Sequence, residues 1–144
     1  MKHLIPVLIG CLALAGIADS TYLAMAHYQV ISPAAVKSSA MCQLTAGSCE
    51  TIALSKESTI FGIPHAILGA AYFAMVLGAV GIRLTTGRWA VPWAMLGLLI
   101  VGLGFSVYLV HAMFFVLHLP CPYCLTAHAL NAAVVGLYLF SIRA

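Results

Sequence analysis

Four apolar runs set the plan of this chain, at about residues 4–27, 63–83, 89–117 and 123–142. A helix needs roughly 20 apolar residues to cross a ~30 Å hydrocarbon core, and each run supplies them. The pattern therefore predicts four membrane-spanning helices. The longest polar interval, about residues 28–62, is predicted to be an outer loop. Inside it Ile52, Ala53 and Leu54 are flanked by Glu50, Lys56 and Glu57, which suggests a short amphipathic helix on the membrane surface. Phe61-Gly62-Ile63-Pro64 reads as a turn into the second span, with proline at the first helical position. In that span Ala66, Ala70, Ala74 and Gly78 form a stripe of small residues, a device for close helix approach in lipid. The third run is longer than a bilayer needs, so it tilts or protrudes. Trp89 and Trp93 are placed to anchor it at an interface.

Composition agrees with this plan. Of 144 residues, 64% are hydrophobic and 6% charged, and the mean hydropathy is +1.11. The expected fold is an all-α integral membrane protein, a single domain over 1–144. A net charge of +3 leaves no basic patch for phosphates, so no nucleic-acid partner is expected. Leu8-Ile9-Gly10-Cys11 has the look of a lipoprotein cleavage box after the basic Lys2, but the apolar stretch before Cys11 is too short. Cys11 then reads as a small apolar residue within a helix. With the N-terminus inside, Lys2, Arg83, Arg88 and Arg143 are inside and Lys37 and Lys56 outside, which favours cytoplasmic N- and C-termini. That orientation puts Cys42, Cys49, Cys121 and Cys124 together on the outer face, although the charge count used no cysteine.

Those four cysteines carry the candidate chemistry. Cys121-Pro122-Tyr123-Cys124 opens the last span. Pro122 suits a first helical turn, which leaves Cys121 at the helix N-terminus, where the dipole and free N–H groups stabilise a thiolate. Cys42 and Cys49 lie on the outer loop. Two dithiols on one membrane face suggest a relay by thiol–disulfide exchange. The loop pair can meet a soluble protein, and the helix pair a lipid-soluble acceptor, for which a quinone is the obvious class. A quinone needs an apolar pocket with donors for its carbonyl oxygens. His128 lies one turn beyond Cys124, with Asn131 on roughly the same face, and His65 enters at the same level. Asp19 is costly inside a span and is a candidate for the quinone site on that ground; the alternative is a carboxylate capped by Ser20 or Tyr22 near the interface, or one reaching water. His27, His111 and His118 read as structural.

The ordered set Cys42-x6-Cys49, Ser55, Phe61-Gly62-Ile63-Pro64 and Cys121-x-x-Cys124, with Ser20-Thr21-Tyr22-Leu23 and the run Cys124 to Asn131, resembles the vitamin K epoxide reductase family in its bacterial form. The resemblance covers nearly the whole chain. It implies a four-helix bundle around a quinone (ubiquinone or menaquinone), capped by the loop and its short helix. It implies Cys124 beside the quinone, Cys121 exchanging most readily with Cys49, and Cys42 attacked by a partner's thiol. Ser55 would fall in the capping helix. His65 stands where relatives often carry Asn, and His128 where vitamin K reductases carry Tyr. No fused thioredoxin-like domain is expected, so the reductant should be a separate thioredoxin-fold, DsbA-like protein outside a bacterial cytoplasmic membrane. Quinone-linked oxidases of the DsbB type share the four-helix plan, but their C-x-x-C comes early and their wider pair late. A Cys/His metal site is disfavoured by the loose Cys42–Cys49 spacing, and no metal is assigned. A membrane bundle with structural disulfides is the remaining alternative.

Overall fold

The computed structural model describes residues 3–45 and 48–143. Four long helices dominate it: α1 (Leu4–His27), α5 (His65–Thr86), α6 (Pro92–His111, continued by a π-helical turn at Ala112–Val116) and α7 (Pro122–Arg143). Each is long and apolar enough to cross a membrane. The fold is an all-α membrane bundle. Lys2, one of the residues behind the expected orientation, lies outside the described residues.

Local chemistry sets the helix ends. Gly87 closes α5 with φ 75°, and its N–H reaches the Arg83 carbonyl at 3.0 Å, the left-handed stop that glycine makes cheap. Pro92 starts α6, so Trp89 stands before that helix and not within it. Its ring packs edge-on against Tyr138 at 5.0 Å, while Trp93 is left exposed. Pro64 likewise precedes α5, which begins at His65.

The long helices are apolar on most sides, as membrane spans are. Their shared core is a narrow seam of Ile9, Ala13, Phe73, Val76, Val80, Met95, Leu99, Val134 and Tyr138. Leu14, Ile100, Val107 and Phe140 are exposed on the outside of the bundle. Cys11 is also on the outer surface of α1, not buried as its type suggested. Helix α1 packs most closely along α5 and α7, whereas α5 and α6 barely touch. The small residues that permit the α1–α5 approach are not those the stripe in α5 suggested. Ala74 and Gly78 face outward, and a side chain at Gly78 would meet nothing. Close contact comes from Gly16 of α1, where a Cβ would lie 2.6 Å from the Phe73 ring, and from Gly69 of α5, which faces Ser20.

The segment between α1 and α5 folds over one end of the bundle as a cap. It holds α2 (Pro33–Ser38), α3 (Ala40–Gln43), α4 (Ser48–Ala53), a 3-10 turn at Lys56–Ser58 and a small hairpin of β1 (Thr59–Ile60) and β2 (Ile63–Pro64). Among its described residues the cap thus has three short helices where the pattern suggested one. Thr59 faces Pro64 and Ile60 faces Ile63 across the hairpin. Its two turn residues, Phe61 (φ 52°) and Gly62 (φ 79°), take the positive φ that a tight two-residue hairpin demands. His27 fastens the cap to α1, its Nδ1 lying 2.6 Å from the Ala53 carbonyl. Ser58 donates to the Ser55 carbonyl at 2.6 Å and ties off the following turn.

Gly16→Ala should destabilise the bundle by about 1–3 kcal/mol, the usual range for overpacking a filled core. Thermal unfolding in detergent checks this, and Phe73→Leu in the same chain should restore part of the loss. Unchanged stability in Gly16→Ala would show that the α1–α5 seam is loose.

Candidate functional site

Cys121 immediately precedes α7, in the N-cap position that its sequence neighbours suggested. Its sulfur behaves as a capping acceptor. The Cys124 backbone N–H approaches it at 3.4 Å, and the Cys124 thiol donates to it at 2.9 Å. The Cys121 N–H in turn faces the Met113 sulfur at 3.2 Å. Donation from the Cys124 thiol holds the Cys121 thiol below its ordinary pKa; burial opposes this without cancelling it. Both residues of this pair are free thiols.

Cys42 and Cys49 form a disulfide with a Cα–Cα distance of 5.8 Å. Both are fully buried, and so is Cys121. All three belong to one apolar cluster with Ala26, Val36, Ile52 and Met113, formed where the cap meets the ends of α1, α6 and α7. The two cysteine pairs, far apart in sequence, are thus gathered in one place. Cys42 is shielded from solvent in this arrangement.

Beneath the cap lies a cavity of ≈ 430 Å³, with mainly apolar walls. It occupies the gap between α5 and α6, and its size suits a ligand of a few rings. Cys49, Cys121 and Cys124 reach its wall, as do His65, His128, Asn131 and Ser55. Ser55 follows α4 and precedes the 3-10 turn, so it lies just outside the capping helix; its hydroxyl donates to the Ile52 carbonyl at 2.9 Å. Asp19 is not in the wall. The neighbouring Ser20 is, and it sits 2.9 Å from where a Cβ on Gly69 would be. Asp19 is half-buried, and its Oδ2 is buried without a hydrogen-bond partner.

Two histidines frame the polar part of the cavity. His65 packs edge-on against Phe105 at 5.2 Å, and its Nδ1 is buried without a partner. A buried donor or acceptor left unpaired costs about 1–3 kcal/mol. His128 Nδ1 lies 3.1 Å from the Ser106 hydroxyl. Ser106 also accepts from Asn131 Nδ2 at 2.9 Å, and Asn131 Oδ1 accepts from Tyr72 at 2.5 Å. Tyr72 and Ser106 were not singled out from sequence, and both line the cavity. Their signal was available: each is a polar group in the middle of an apolar span. Among the described residues no three His, Cys, Asp or Glu side chains gather as a metal site.

The pattern of the vitamin K epoxide reductase family matches residues 7–139, nearly the whole chain. The chain belongs to the vitamin K epoxide reductase family. No curated protein matches it. Membership makes this a redox enzyme of the class that acts on disulfides and quinones, built into a membrane by several spans. The features a quinone requires are present on this family member's own residues. The cavity is mainly apolar, and the Cys124 thiol and the His65 and His128 rings belong to residues of its wall.

Cys124→Ala should move the Cys121 titration to higher pH. The sign follows from the contact: the Cys124 thiol stabilises the Cys121 thiolate, so its loss favours the thiol form. Ultraviolet thiolate absorbance against pH, in a Cys11→Ala background with the loop disulfide intact, reads the shift. An unmoved or lower midpoint would show that the Cys124 contact is not what sets Cys121.

Proposed function

We propose that this protein passes electrons from a separate thioredoxin-fold, DsbA-like partner through two cysteine pairs to a membrane quinone, ubiquinone or menaquinone, and so supports disulfide formation. The observation that carries this reading is the placement of Cys124. Its side chain lines the apolar cavity, while its neighbour Cys121 is packed with Cys42 and Cys49. The helix pair therefore touches both the buried loop pair and the space for an apolar acceptor.

Each exchange moves two electrons. An attacking thiolate bonds to one sulfur of a disulfide and displaces the other as thiolate. The partner's dithiol becomes a disulfide as Cys42–Cys49 opens to thiols. The loop pair closes again as the Cys121–Cys124 disulfide opens. A bound quinone supplies the final acceptor of two electrons and two protons. The free thiols of Cys121 and Cys124 give these up and close as a disulfide. In the arrangement described above, the loop pair is closed and the helix pair reduced, with the electrons on the pair beside the cavity. His65 and His128 would hold the carbonyl oxygens, and Ser55 and Asn131 would shape the pocket. Asp19, with its unpaired oxygen near the dithiol but outside the cavity wall, would act on the cysteines and not on the quinone.

The cap closes the bundle end where α5 and α7 begin, and Arg83 and Arg143 stand at the opposite end. We assign the cap to the periplasm or exterior of a bacterial cytoplasmic membrane, with both termini in the cytoplasm.

Anaerobic quinone reduction by the purified protein, with dithiothreitol as donor, tests the reading. Turnover should be present in the wild type and lost, by at least about a hundredfold, in Cys124→Ser. Cys42→Ser should block oxidation of a thioredoxin-fold partner yet keep most turnover with the small dithiol. Full turnover in Cys124→Ser would remove that sulfur from the quinone step. Equal loss with both donors in Cys42→Ser would remove the loop pair's role as first acceptor.

A further inference from the structure

Ser106 has one hydrogen to give, and its surroundings determine where that hydrogen goes. The Tyr72 hydroxyl donates to Asn131 Oδ1, which orients the amide so that Nδ2 donates to Ser106 Oγ. Ser106 is buried in α6 and accepts that bond. The remaining contact of its hydroxyl is His128 Nδ1 at 3.1 Å. If His128 carried its proton on Nδ1, the Ser106 hydrogen would lack an acceptor among the described residues, a buried loss of about 1–3 kcal/mol. If Nδ1 is bare, the Ser106 hydrogen has an acceptor in it. A neutral imidazole with a bare Nδ1 carries its proton on Nε2.

We propose that Tyr72, Asn131 and Ser106 are positioning residues that fix His128 as the Nε2–H tautomer, presenting a hydrogen-bond donor to the cavity. The matching ligand group is a carbonyl oxygen, so this deepens the quinone reading and rests on it for the ligand's identity. The chain runs from α5 through α7 to α6, and it spans the very gap that the cavity occupies. Tyr72 can reach across because α6 has glycine opposite it: a Cβ at Gly102 would lie 2.6 Å from the tyrosine ring. Asn131 is 3% exposed and Ser106 8%, so water does not compete for these bonds. His128 itself is only part-buried and lines the cavity, and its Nε2 has no partner among the described residues. The histidine thus has one nitrogen committed and one available.

The test is nitrogen NMR of the full-length protein in detergent, with isotope-labelled histidine and no quinone; His128→Gln identifies the signal. Wild type should show an unprotonated, hydrogen-bonded Nδ1 and a protonated Nε2. Ser106→Ala should shift His128 towards a mixture of tautomers, and Ser106→Thr should restore the wild-type pattern. A protonated Nδ1 in the wild type, or a spectrum unmoved by Ser106→Ala, would overturn the assignment. In parallel, Ser106→Ala should raise the quinone KM by about threefold to tenfold, the loss of one well-placed hydrogen bond, with a smaller effect on kcat. Should Ser106→Ala fail to fold, Asn131→Asp removes the Nδ2 donor to Ser106 and leaves an acceptor that competes for the Ser106 hydrogen, so the same shift towards mixed tautomers is expected. A protein that turns over no quinone yet shows the expected tautomer would overturn the quinone reading alone. Normal turnover with a protonated Nδ1 would overturn the tautomer assignment alone.

Discussion

Inside a bilayer no water rescues a polar side chain, and most of this site follows from that constraint. Each span carries only a few polar groups, and they are not scattered. Tyr72, Ser106, His128 and Asn131 find one another across three helices. The helices they connect do not close up on each other, because α5 and α6 stand apart around the cavity. The hydrogen bonds therefore bridge a space that packing leaves open, and the polar chain and the cavity belong to one arrangement. On the other side of the bundle α1 does the opposite work. Gly10 and Gly16 bring it hard against α5, and that seam supplies rigidity where no site is needed.

The spans were legible because length and hydropathy decide membrane insertion almost alone. The helix limits moved by only a few residues, and each shift has a local cause. Proline ended up just outside α5 because β2 claims Pro64, and Trp89 was released from α6 because Pro92 begins it. The cap was less legible. Its helices are four to six residues long, too short for any hydrophobic period to register. What fixes them is burial of Val36, Cys42, Cys49 and Ile52 against the bundle, a tertiary contact that the sequence does not display.

The chemistry divides along the same line. Cysteine spacing and the proline between Cys121 and Cys124 announced the helix pair, because N-terminal capping is a local property. His128 could be placed by counting one turn from Cys124, and His65 by its position in the first turn of the second span. Ser106 and Tyr72 could not, since their partner Asn131 lies 25 and 59 residues away in the chain. Asp19 shows the converse limit. A carboxylate in a span is conspicuous in sequence, yet one helical position decides whether it or Ser20 faces the cavity, and here it is Ser20.

The cap that covers the loop disulfide also sets a clock. Sulfur atoms at 0% exposure cannot be attacked while the fold is closed. For the exchange proposed above, the rate is then the intrinsic thiol reaction multiplied by the fraction of time the cap is open, if opening and closing are fast. His27 and its contact with the Ala53 carbonyl belong to that opening equilibrium although they touch no sulfur. Local opening of such a segment spans free energies from near zero up to the global stability. Throughput can therefore be tuned over orders of magnitude by residues at the rim of the cap, leaving the redox pairs unchanged.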